Sequence, residues 1–497
     1  REGRARRPSF TSEMTRRVLL LVLLFPAGTT LGFFVSVARR TTPPLLRAEK
    51  SSLQEQSSQS SQSSLPYDWR AQWYPVAFAA ELPRGKEPSA FTIFDEPIVL
   101  WRDPSAAGSE FRCAEDRCPH RLAALSQGAV EPDGSLRCYY HGWAFNGEGT
   151  CVAVPQLATS ATIPKAARVR TYPTAVVEGI IWVWAVADGV PSRDPPRSAD
   201  NLDASPGFAH YDFQIDLPYE QSWLVENLFD PAHVPISHDR TQGGGRREAA
   251  EAYVMEVDDE SINEDGFTGR YRGESKVAWT QAKFEAPGVI RYRSERLDEK
   301  GEPKTLFGAA LHCVPRGRQK SRLLFRTYFK KSGLPLPLLL YLFVQPKWKR
   351  HLNSCKVLEQ DLGLITSQED RPFESLAKDT LTIKSSDTFV VAYRSWLDRI
   401  KQGLPYKPVG WKTNDGRHAQ ESQDHQQPQA PVPAVVDPDH RSRQPRLLRH
   451  VYISHISRTA LKNTVRCRNA ALLAFVLSTT SAAAATTAAA ARGTAGE

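Results

Sequence analysis

The sequence predicts an α+β protein, in which an all-β domain is followed by a domain that mixes strands and helices. Short β-rich runs dominate the first part, and Glu178-Gly179 separates two of them by the spacing of a β-hairpin. Farther along the chain, strand-like runs are joined by segments of helical periodicity such as 346–369. A chain of 497 residues is long enough for two ordered domains plus tails. We expect the all-β domain over 66–195 and the α+β domain over 205–405.

The first 65 residues have the layout of a targeting segment. After Met14, the basic pair Arg16-Arg17 precedes the apolar run Val18–Phe25 and then small residues, as in a cleavable signal peptide. An acidic-poor stretch and a Ser/Gln-rich linker complete 1–65, and the whole resembles the two-part import address of algae with complex plastids. The alternative is an N-terminal membrane helix, because Val18–Val37 has about the length that crosses a bilayer.

Two further segments follow the α+β domain. Residues 406–450 are rich in Gln, Asp, His and Pro, which is typical of a disordered linker. In the tail 451–497, the uncharged stretch Asn469–Ala491 is long enough to cross a bilayer, but Ala and Thr are only weakly hydrophobic. We expect either a weak membrane anchor or a low-complexity tail there.

The positive charge of the chain lies in its tails. Residues 1–50 carry ten Lys/Arg against three Asp/Glu, and residues 441–497 carry nine against one. The part between them carries 45 basic and 51 acidic residues. A nucleic-acid-binding surface on the folded part is therefore not expected.

Two short motifs each offer one thiolate and one imidazole: Cys118-Pro-His120 and Cys138-Tyr-Tyr-His141. A Rieske-type [2Fe–2S] cluster needs such a set, because two cysteines bind one iron and two histidines bind the other. The turn sequence Pro132–Gly134 between the motifs would bring the two loops together. The alternative is structural zinc, which also accepts two Cys and two His but usually with a wider spacing than Cys-x-His.

A second pair of histidines, His233 and His238, predicts a mononuclear Fe(II) site. Two histidines and one carboxylate leave open positions on iron for oxygen. Five residues apart on a regular helix, the two imidazoles would point about 140° apart. Pro231 and Pro235 disfavour helical geometry at the residues before them, so we expect an irregular turn that directs both rings to one side.

Asp361 is the predicted carboxylate ligand of that iron. It lies within the helical pattern of 346–369, with apolar residues before and after it. A carboxylate in an apolar stripe is costly unless it is paired or bound to a cation. The alternatives are Glu359 as the ligand, or a buried Asp361 that pairs with an Arg or Lys.

These motifs resemble the pheophorbide a oxygenase family of Rieske non-haem iron oxygenases. That family includes chlorophyllide a oxygenase-like members and a translocon-associated Rieske protein. The resemblance runs from about Trp69 to Leu461 and rests on Gln72–Val76, Cys118–Leu122, Tyr140–Trp143, Pro155-Gln156, Asp216–Tyr219, Glu226–Pro235, Pro346–Trp348 and Ser385–Thr388.

The resemblance implies an N-terminal Rieske domain and a helix-grip-like catalytic domain. It also implies ferredoxin as the electron donor, a homotrimer, and a plastid location with association to the thylakoid or envelope membrane. Asp230 matches the residue that links the iron site to a Rieske histidine of the neighbouring subunit. Glu226 and Asn227 would orient the ligands, unless Glu226 is an ordinary solvated helix charge.

The function implied by the resemblance is a monooxygenase that uses ferredoxin-derived electrons and O2 to oxidise a chlorophyll-derived tetrapyrrole, such as pheophorbide a or a chlorophyllide a-like pigment. One alternative is a redox or translocon-associated protein at the plastid membrane that does not oxidise tetrapyrroles. Another is a Rieske oxygenase with a different substrate.

Overall fold

A computed structural model describes the chain over 67–83, 85–104, 110–197, 207–241, 245–297, 303–331, 344–371, 380–400 and 459–473. Residues 233–250 belong to one compact unit, and the other described residues belong to a second. The predicted targeting segment 1–65 and the linker 406–450 lie outside the described residues, as does most of the tail 451–497. Within the described ranges, no helix combines the length and apolar character needed to cross a membrane.

The N-terminal domain is built from short antiparallel strands, as predicted. They form three sheets with the orders β1-β11-β10, β2-β3-β4-β9 and β5-β6-β7-β8. The strands are β1 (Trp73–Phe78), β2 (Ser89–Ile93), β3 (Glu96–Arg102), β4 (Phe111–Glu115), β5 (Ala129–Val130), β6 (Leu136–Arg137), β7 (Ala144–Phe145), β8 (Cys151–Ala153), β9 (Thr171–Tyr172), β10 (Thr174–Val177) and β11 (Ile180–Trp184).

Two hairpin turns of this domain have the same unusual backbone. The predicted turn between β10 and β11 places Glu178 at φ 53° and Gly179 at φ 73°. The turn between β2 and β3 places Phe94 at φ 53° and Asp95 at φ 65°. A two-residue turn with positive φ at both positions matches the twist of the flanking strands but normally prefers Gly or Asn. Phe94 therefore has a backbone conformation that its side chain does not favour.

The α+β domain is centred on an antiparallel sheet of the order β12-β18-β17-β16-β15-β14-β13. Its strands are β12 (Phe208–Leu217), β13 (Tyr253–Val257), β14 (Gly266–Gly273), β15 (Thr280–Glu285), β16 (Val289–Leu297), β17 (Pro303–Gly317) and β18 (Lys320–Lys330). The helices are α1 (Gln221–Phe229), α2 (Val234–Ser237), α3 (Lys347–Glu369) and α4 (Lys384–Ile400), and α5 covers 459–473. The α+β fold prediction is confirmed.

One face of this sheet packs against α1 and α4. The strand register aligns an apolar row across six strands, because directly paired residues share a face. This row consists of Phe267, Phe284, Ile290, Leu311, Phe325 and Phe213. Phe229 of α1 contacts Phe284 at a ring-centroid distance of 6.2 Å, and Trp396 of α4 contacts it at 4.8 Å.

The opposite face of the sheet is turned toward the N-terminal domain. Asp212 and Arg326 are paired across β12 and β18, one position away from the apolar row. The Arg326 Nη1 atom donates to the carbonyl oxygen of Glu178 in the β10–β11 turn at 2.6 Å. The sheet thus separates α1 and α4 on one side from the all-β domain on the other.

Candidate metal centres

The two loops predicted to hold the cluster close in the same way. In each loop the cysteine N–H donates to the carbonyl five residues later, and the cysteine carbonyl accepts from the N–H four residues later. These bonds are Cys118 N to Ala123 O (2.8 Å), Leu122 N to Cys118 O (2.8 Å), Cys138 N to Trp143 O (2.8 Å) and Gly142 N to Cys138 O (2.9 Å). The fourth residue after each cysteine has positive φ, 60° at Leu122 and 77° at Gly142. Two sequences of different composition therefore form equivalent loops.

The side chains of these loops form a donor set suited to a cluster. Cys118 and Cys138 are each 2% exposed, and the ring centroids of His120 and His141 lie 4.4 Å apart. Burial raises the pKa of the Cys118 thiol to about 11, and the neighbouring Cys138 adds to this rise. Thiolates at such a site need a compensating cation, because a buried charge is otherwise too costly. A metal cluster would meet that need.

Neighbouring groups hold the second loop in place. The Gln156 Nε2 atom donates to the His141 carbonyl at 2.8 Å. A Cβ at Gly142 would lie 2.9 Å from Pro155 Cγ, so this position favours glycine both for space and for its positive φ. Desolvation and the adjacent His120 lower the pKa of His141, which favours the neutral imidazole that a metal requires.

The predicted iron histidines flank the single-turn helix α2. Helix α1 ends at Phe229 before Pro231, and α2 starts after His233, whose backbone is helical. His238 follows α2 with φ −107° and ψ 29°, and its ring centroid lies 5.2 Å from that of His233. The expectation that both prolines break the helix is wrong for Pro235. It lies in the first turn of α2, where a missing N–H is tolerated.

Asp361 joins these histidines in the only candidate group of three metal ligands found among the described residues. One ligand atom from each of His233, His238 and Asp361 lies within 4.8 Å of the others. Asp361 and His238 are each 2% exposed. Glu359, the alternative carboxylate, is only half-buried and is not part of this group. The donor set of two imidazoles and one carboxylate fits non-haem iron.

The polar residues predicted to support the iron site have separate contacts. The Asn227 Nδ2 atom donates to Asp361 Oδ2 at 3.4 Å. Asp230 follows α1 directly, and its Oδ1 accepts from the N–H of Ala232 at 2.7 Å. The idea that Glu226 is a solvated helix charge is wrong, because Glu226 is only 7% exposed.

The partner of Glu226 was not predicted from the sequence. Arg394 of α4 donates to both carboxylate oxygens, with distances of 3.0 Å from Nε and 2.7 Å from Nη2. An arginine within an amphipathic helix gives no signal of which distant acid it pairs with.

Two tyrosines that contact the ligand segment were not predicted either, because their partners are also distant in the sequence. Tyr292 and Tyr253 donate from their hydroxyls to the Leu228 and Pro231 carbonyls at 2.8 and 3.4 Å. They support the segment that joins α1 to His233.

Comparison with known families agrees with these two centres. Residues 72–173 match the Rieske [2Fe-2S] domain, and residues 284–375 match the family described as pheophorbide a oxygenase. The chain belongs to the pheophorbide a oxygenase family of Rieske proteins. The predicted resemblance is therefore confirmed. The cofactors of this family, a [2Fe–2S] cluster and a mononuclear iron, suit the two donor sets, and the match argues against the zinc alternative.

The family relatives are chloroplast proteins. The chain is 42% identical to Protein TIC 55 of Arabidopsis thaliana over 345 residues, which cover 68% of this chain and 61% of that protein. It is 33% identical to pheophorbide a oxygenase of the same plant, with 68% and 65% covered. The chain thus spans about three fifths of the length of the TIC 55 relatives that it matches.

Solved structures show the same fold at low sequence identity. The Pseudomonas putida CBB5 NdmA structure with caffeine is 21% identical, with a TM-score of 0.52, and covers 66% of this chain and 90% of its own. The structure of dicamba monooxygenase bound to 3,6-dichlorosalicylic acid is 20% identical, with a TM-score of 0.53, and covers 67% and 97%.

Proposed function

We propose that this protein is a monooxygenase that oxidises a chlorophyll-derived tetrapyrrole, with O2 and with electrons from reduced ferredoxin. The observation that carries the proposal is the group formed by His233, His238 and Asp361 within 4.8 Å. An electron carrier would need only the Rieske domain. A second site with two imidazoles and one carboxylate is the donor set with which non-haem iron enzymes use oxygen.

In this proposal Cys118, Cys138, His120 and His141 hold the cluster. The two cysteines lie in the apolar interior and the two histidines lie toward the surface, where His120 is exposed. Electrons from a docked donor would therefore enter on the histidine side. When bound, the cluster supplies one-electron transfer and the mononuclear iron supplies oxygen activation.

The chain's own groups would hold the iron site ready for substrate. Asp361 would remain ionised as a ligand, and the amide of Asn227 would orient its carboxylate. The Glu226–Arg394 pair would fix α1, which leads directly to the ligand segment. Tyr292 and Tyr253 would hold the carbonyls of that segment and so limit its movement.

Asp230 would connect the iron site to a cluster of another subunit. Its position three residues before His233 agrees with a link to a Rieske histidine across a head-to-tail interface. Such an interface closes into a ring, and we propose a homotrimer. The Asp230 Oδ1 atom accepts from the N–H of Ala232 at 2.7 Å, which fixes the carboxylate beside the start of the ligand segment.

The substrate proposal is supported by the aromatic character of the helix-bearing sheet face. Tyr253, Tyr271 and Tyr292 are only partly buried, and their ring centroids are spaced 6.0 Å apart along the series. Phe307 and Phe325 on the same face are also half-exposed. Offset and edge-on contacts with such rings favour a large planar aromatic ligand. Relatives named for pheophorbide a and chlorophyllide a support a chlorin.

The names of the relatives also support a plastid location. We further propose association with the thylakoid or envelope membrane, where chlorophyll-derived substrates partition because of their apolar surface.

Isotope incorporation tests the proposed function. The reconstituted protein would be given reduced ferredoxin, ¹⁸O2 and, in separate reactions, pheophorbide a, chlorophyllide a and protochlorophyllide. We expect ¹⁸O in one pigment product by mass spectrometry and none with the Asp361→Ala variant. Cluster oxidation without labelled product from any pigment would contradict the proposal.

A second candidate function is a redox or translocon-associated role without substrate oxidation. It is favoured by the 42% identity to TIC 55 and by the 28% identity to the protochlorophyllide-dependent translocon component 52 of Arabidopsis thaliana. A third candidate is oxidation of another aromatic compound, since flavonoid 8-hydroxylase 2 of Ocimum basilicum is 27% identical. Adding a flavone to the labelling panel separates all three outcomes.

A further inference from the structure

The sheet face that carries the N-terminal domain is unusually rich in buried charge. Arg326 is 3% exposed and Arg322 is 5% exposed, and both lie on β18. The two positions are four residues apart, so they are separated by about 13 Å along the strand. Burying an arginine–aspartate pair seldom adds stability relative to apolar packing. Two such pairs on one strand therefore need another explanation.

Both arginines reach beyond their acidic partners to the backbone of the N-terminal domain. Arg326 donates to the Asp212 carboxylate from Nε at 2.7 Å and from Nη2 at 2.8 Å. Its remaining Nη1 donates to the Glu178 carbonyl at 2.6 Å. Each aspartate holds a planar guanidinium at a fixed angle, and the third nitrogen then points in one direction only.

Arg322 makes an equivalent contact at a second position on β18. Each position at which the sheet contacts the N-terminal domain is called a docking point. Arg322 makes a two-point contact with Asp216, and its Nη1 donates to the Val76 carbonyl of β1 at 2.9 Å. Arg316 also pairs with Asp216 and donates from Nε to Thr92 Oγ1 of β2 at 3.1 Å. The carbonyl groups that accept from Arg322 and Arg326, those of Val76 and Glu178, belong to the domain that bears the cluster loops.

A third docking point lies at the β17–β18 turn. The N–H groups of Phe94 and Asp95 donate to the Pro315 and Arg316 carbonyls at 3.0 and 2.9 Å. The Asp95 carboxylate accepts from the Arg318 N–H at 2.9 Å. Gly317 has φ 150°, which side chains rarely adopt, and a Cβ there would lie 2.0 Å from Asp95 Oδ1 and displace that carboxylate. The residues that make this contact from the N-terminal domain are Phe94 and Asp95 of the β2–β3 turn, both of which have positive φ.

Contacts on the strands beside β18 extend the interface laterally. Gln214 of β12 accepts from the Phe78 N–H at 3.2 Å, and the ring of His312 on β17 lies 5.5 Å from the indole of Trp182. The N-terminal domain is therefore held at several points along β18 and on each of its neighbours. Contacts distributed in two directions resist both sliding and rotation.

We propose that Arg322, Arg326 and the Asp95–Gly317 contact are positioning residues that fix the cluster-bearing domain in one orientation on the sheet. The inference rests on the proposed function, because a fixed orientation matters if the cluster must deliver electrons over a defined distance. Buried ionic contacts suit this role, since their directional bonds select one arrangement whereas apolar contacts permit several.

Distance measurement tests the orientation without the mononuclear iron and without substrate. A nitroxide would be attached to Lys283→Cys, a half-exposed site on β15, with the exposed Cys467 replaced by serine and the other cysteines buried. Pulsed EPR would give the distance distribution from the nitroxide to the reduced cluster. Arg326→Gln and Gly317→Ala would be compared with the wild type. Their controls are Arg270→Gln, which removes a solvent-exposed ion pair of the same sheet, and Gly85→Ala, where nothing lies within 4 Å.

In the proposed homotrimer each nitroxide has one distance to the cluster of its own chain and others to the clusters of the neighbouring subunits. We expect each of these distances to be narrowly distributed in the wild type and both controls, and the distance within one chain to be shifted or broadened in Arg326→Gln and Gly317→Ala. The cluster absorption and midpoint potential should be unchanged in all of them. In single-turnover oxidation of the reduced cluster with O2 and pheophorbide a, the two variants should be slower by about 10²-fold, the penalty of about 1 Å of misplacement. Arg326→Lys keeps the charge but not the forked geometry. It should therefore restore neither the narrow distance distribution nor the rate of cluster oxidation.

Unchanged distance distributions in both variants would overturn the inference, as would equal changes in the controls. If Arg326→Gln or Gly317→Ala lost its cluster, the comparison would use the other variant alone, because the two substitutions affect separate docking points. If the wild type oxidised no pigment while the distance distribution still broadened in the variants, the proposed substrate oxidation would fail and the positioning role would stand.

Discussion

Removing the Arg394 side chain tests whether α1 is held by a buried ion pair. Arg394 and Glu226 are 15% and 8% exposed at their side chains and share two hydrogen bonds of 3.0 and 2.7 Å. Arg394→Met keeps the apolar volume but leaves a carboxylate buried without its cation. Breaking a buried pair in this way costs about 3–5 kcal/mol, several times the value of an exposed pair. We expect the free energy of unfolding to fall by that amount.

Equilibrium unfolding in guanidinium chloride, followed by tryptophan fluorescence, would measure the loss. The matched control is Arg270→Met, which removes a pair with Glu256 whose side chains are 52% and 47% exposed and should cost less than about 1 kcal/mol. Combining Arg394→Met with Glu226→Leu removes both charges and should recover most of the stability. A loss for Arg394→Met no larger than that of the control would refute the reasoning.

Four further changes separate the two centres and the interface between the domains. His141→Ala should abolish the Rieske absorption while the mononuclear site still binds iron; an intact spectrum would remove His141 from the ligands. Asp361→Ala should keep the cluster but lower mononuclear iron to background, whereas Glu359→Ala should retain it; the reverse result would exchange their roles. Asp230→Asn should retain both metals, with wild-type spectra, yet slow electron transfer from the cluster to the mononuclear site, and a wild-type rate would exclude the proposed link. Burial and two neighbouring arginines hold the pKa of His312 well below its usual 6.5, so the folded protein keeps this ring neutral while the unfolded chain protonates it below about pH 6.5. Stability should therefore fall as the pH drops through that value, and His312→Gln should flatten the dependence measured by thermal unfolding between pH 7 and 5.

The fold class and the residues of both candidate metal centres were predictable because they depend on local patterns. The Glu178-Gly179 hairpin follows from its two-residue spacing and from Gly179, which adopts positive φ without steric cost. Helix α3, over Lys347–Glu369, follows from its periodicity, and the same periodicity placed Asp361 on the buried side. Local chemistry was sufficient in these cases.

The remaining features depend on contacts between distant parts of the chain. Glu226 and Arg394 are 168 positions apart, and Arg326 and Glu178 are 148 positions apart, so no local pattern relates them. A break between β-rich runs near Asp95 was visible in the sequence, but the positive φ of Phe94 was not, because the turn also depends on contacts with the distant β17–β18 turn. Pro235 was misjudged because a proline tolerated in the first helical turn resembles one that breaks a helix.

Iron content and EPR of the anaerobically reconstituted protein test most directly whether two separate iron sites exist. We predict about three iron atoms per chain, two in the Rieske cluster and one at the mononuclear site. The cluster signal should appear on reduction, and an independent iron–nitrosyl signal should appear with nitric oxide and be absent from the His238→Ala variant. Protein that binds only zinc, or that gives the cluster signal with no nitrosyl signal, would contradict the two-site interpretation.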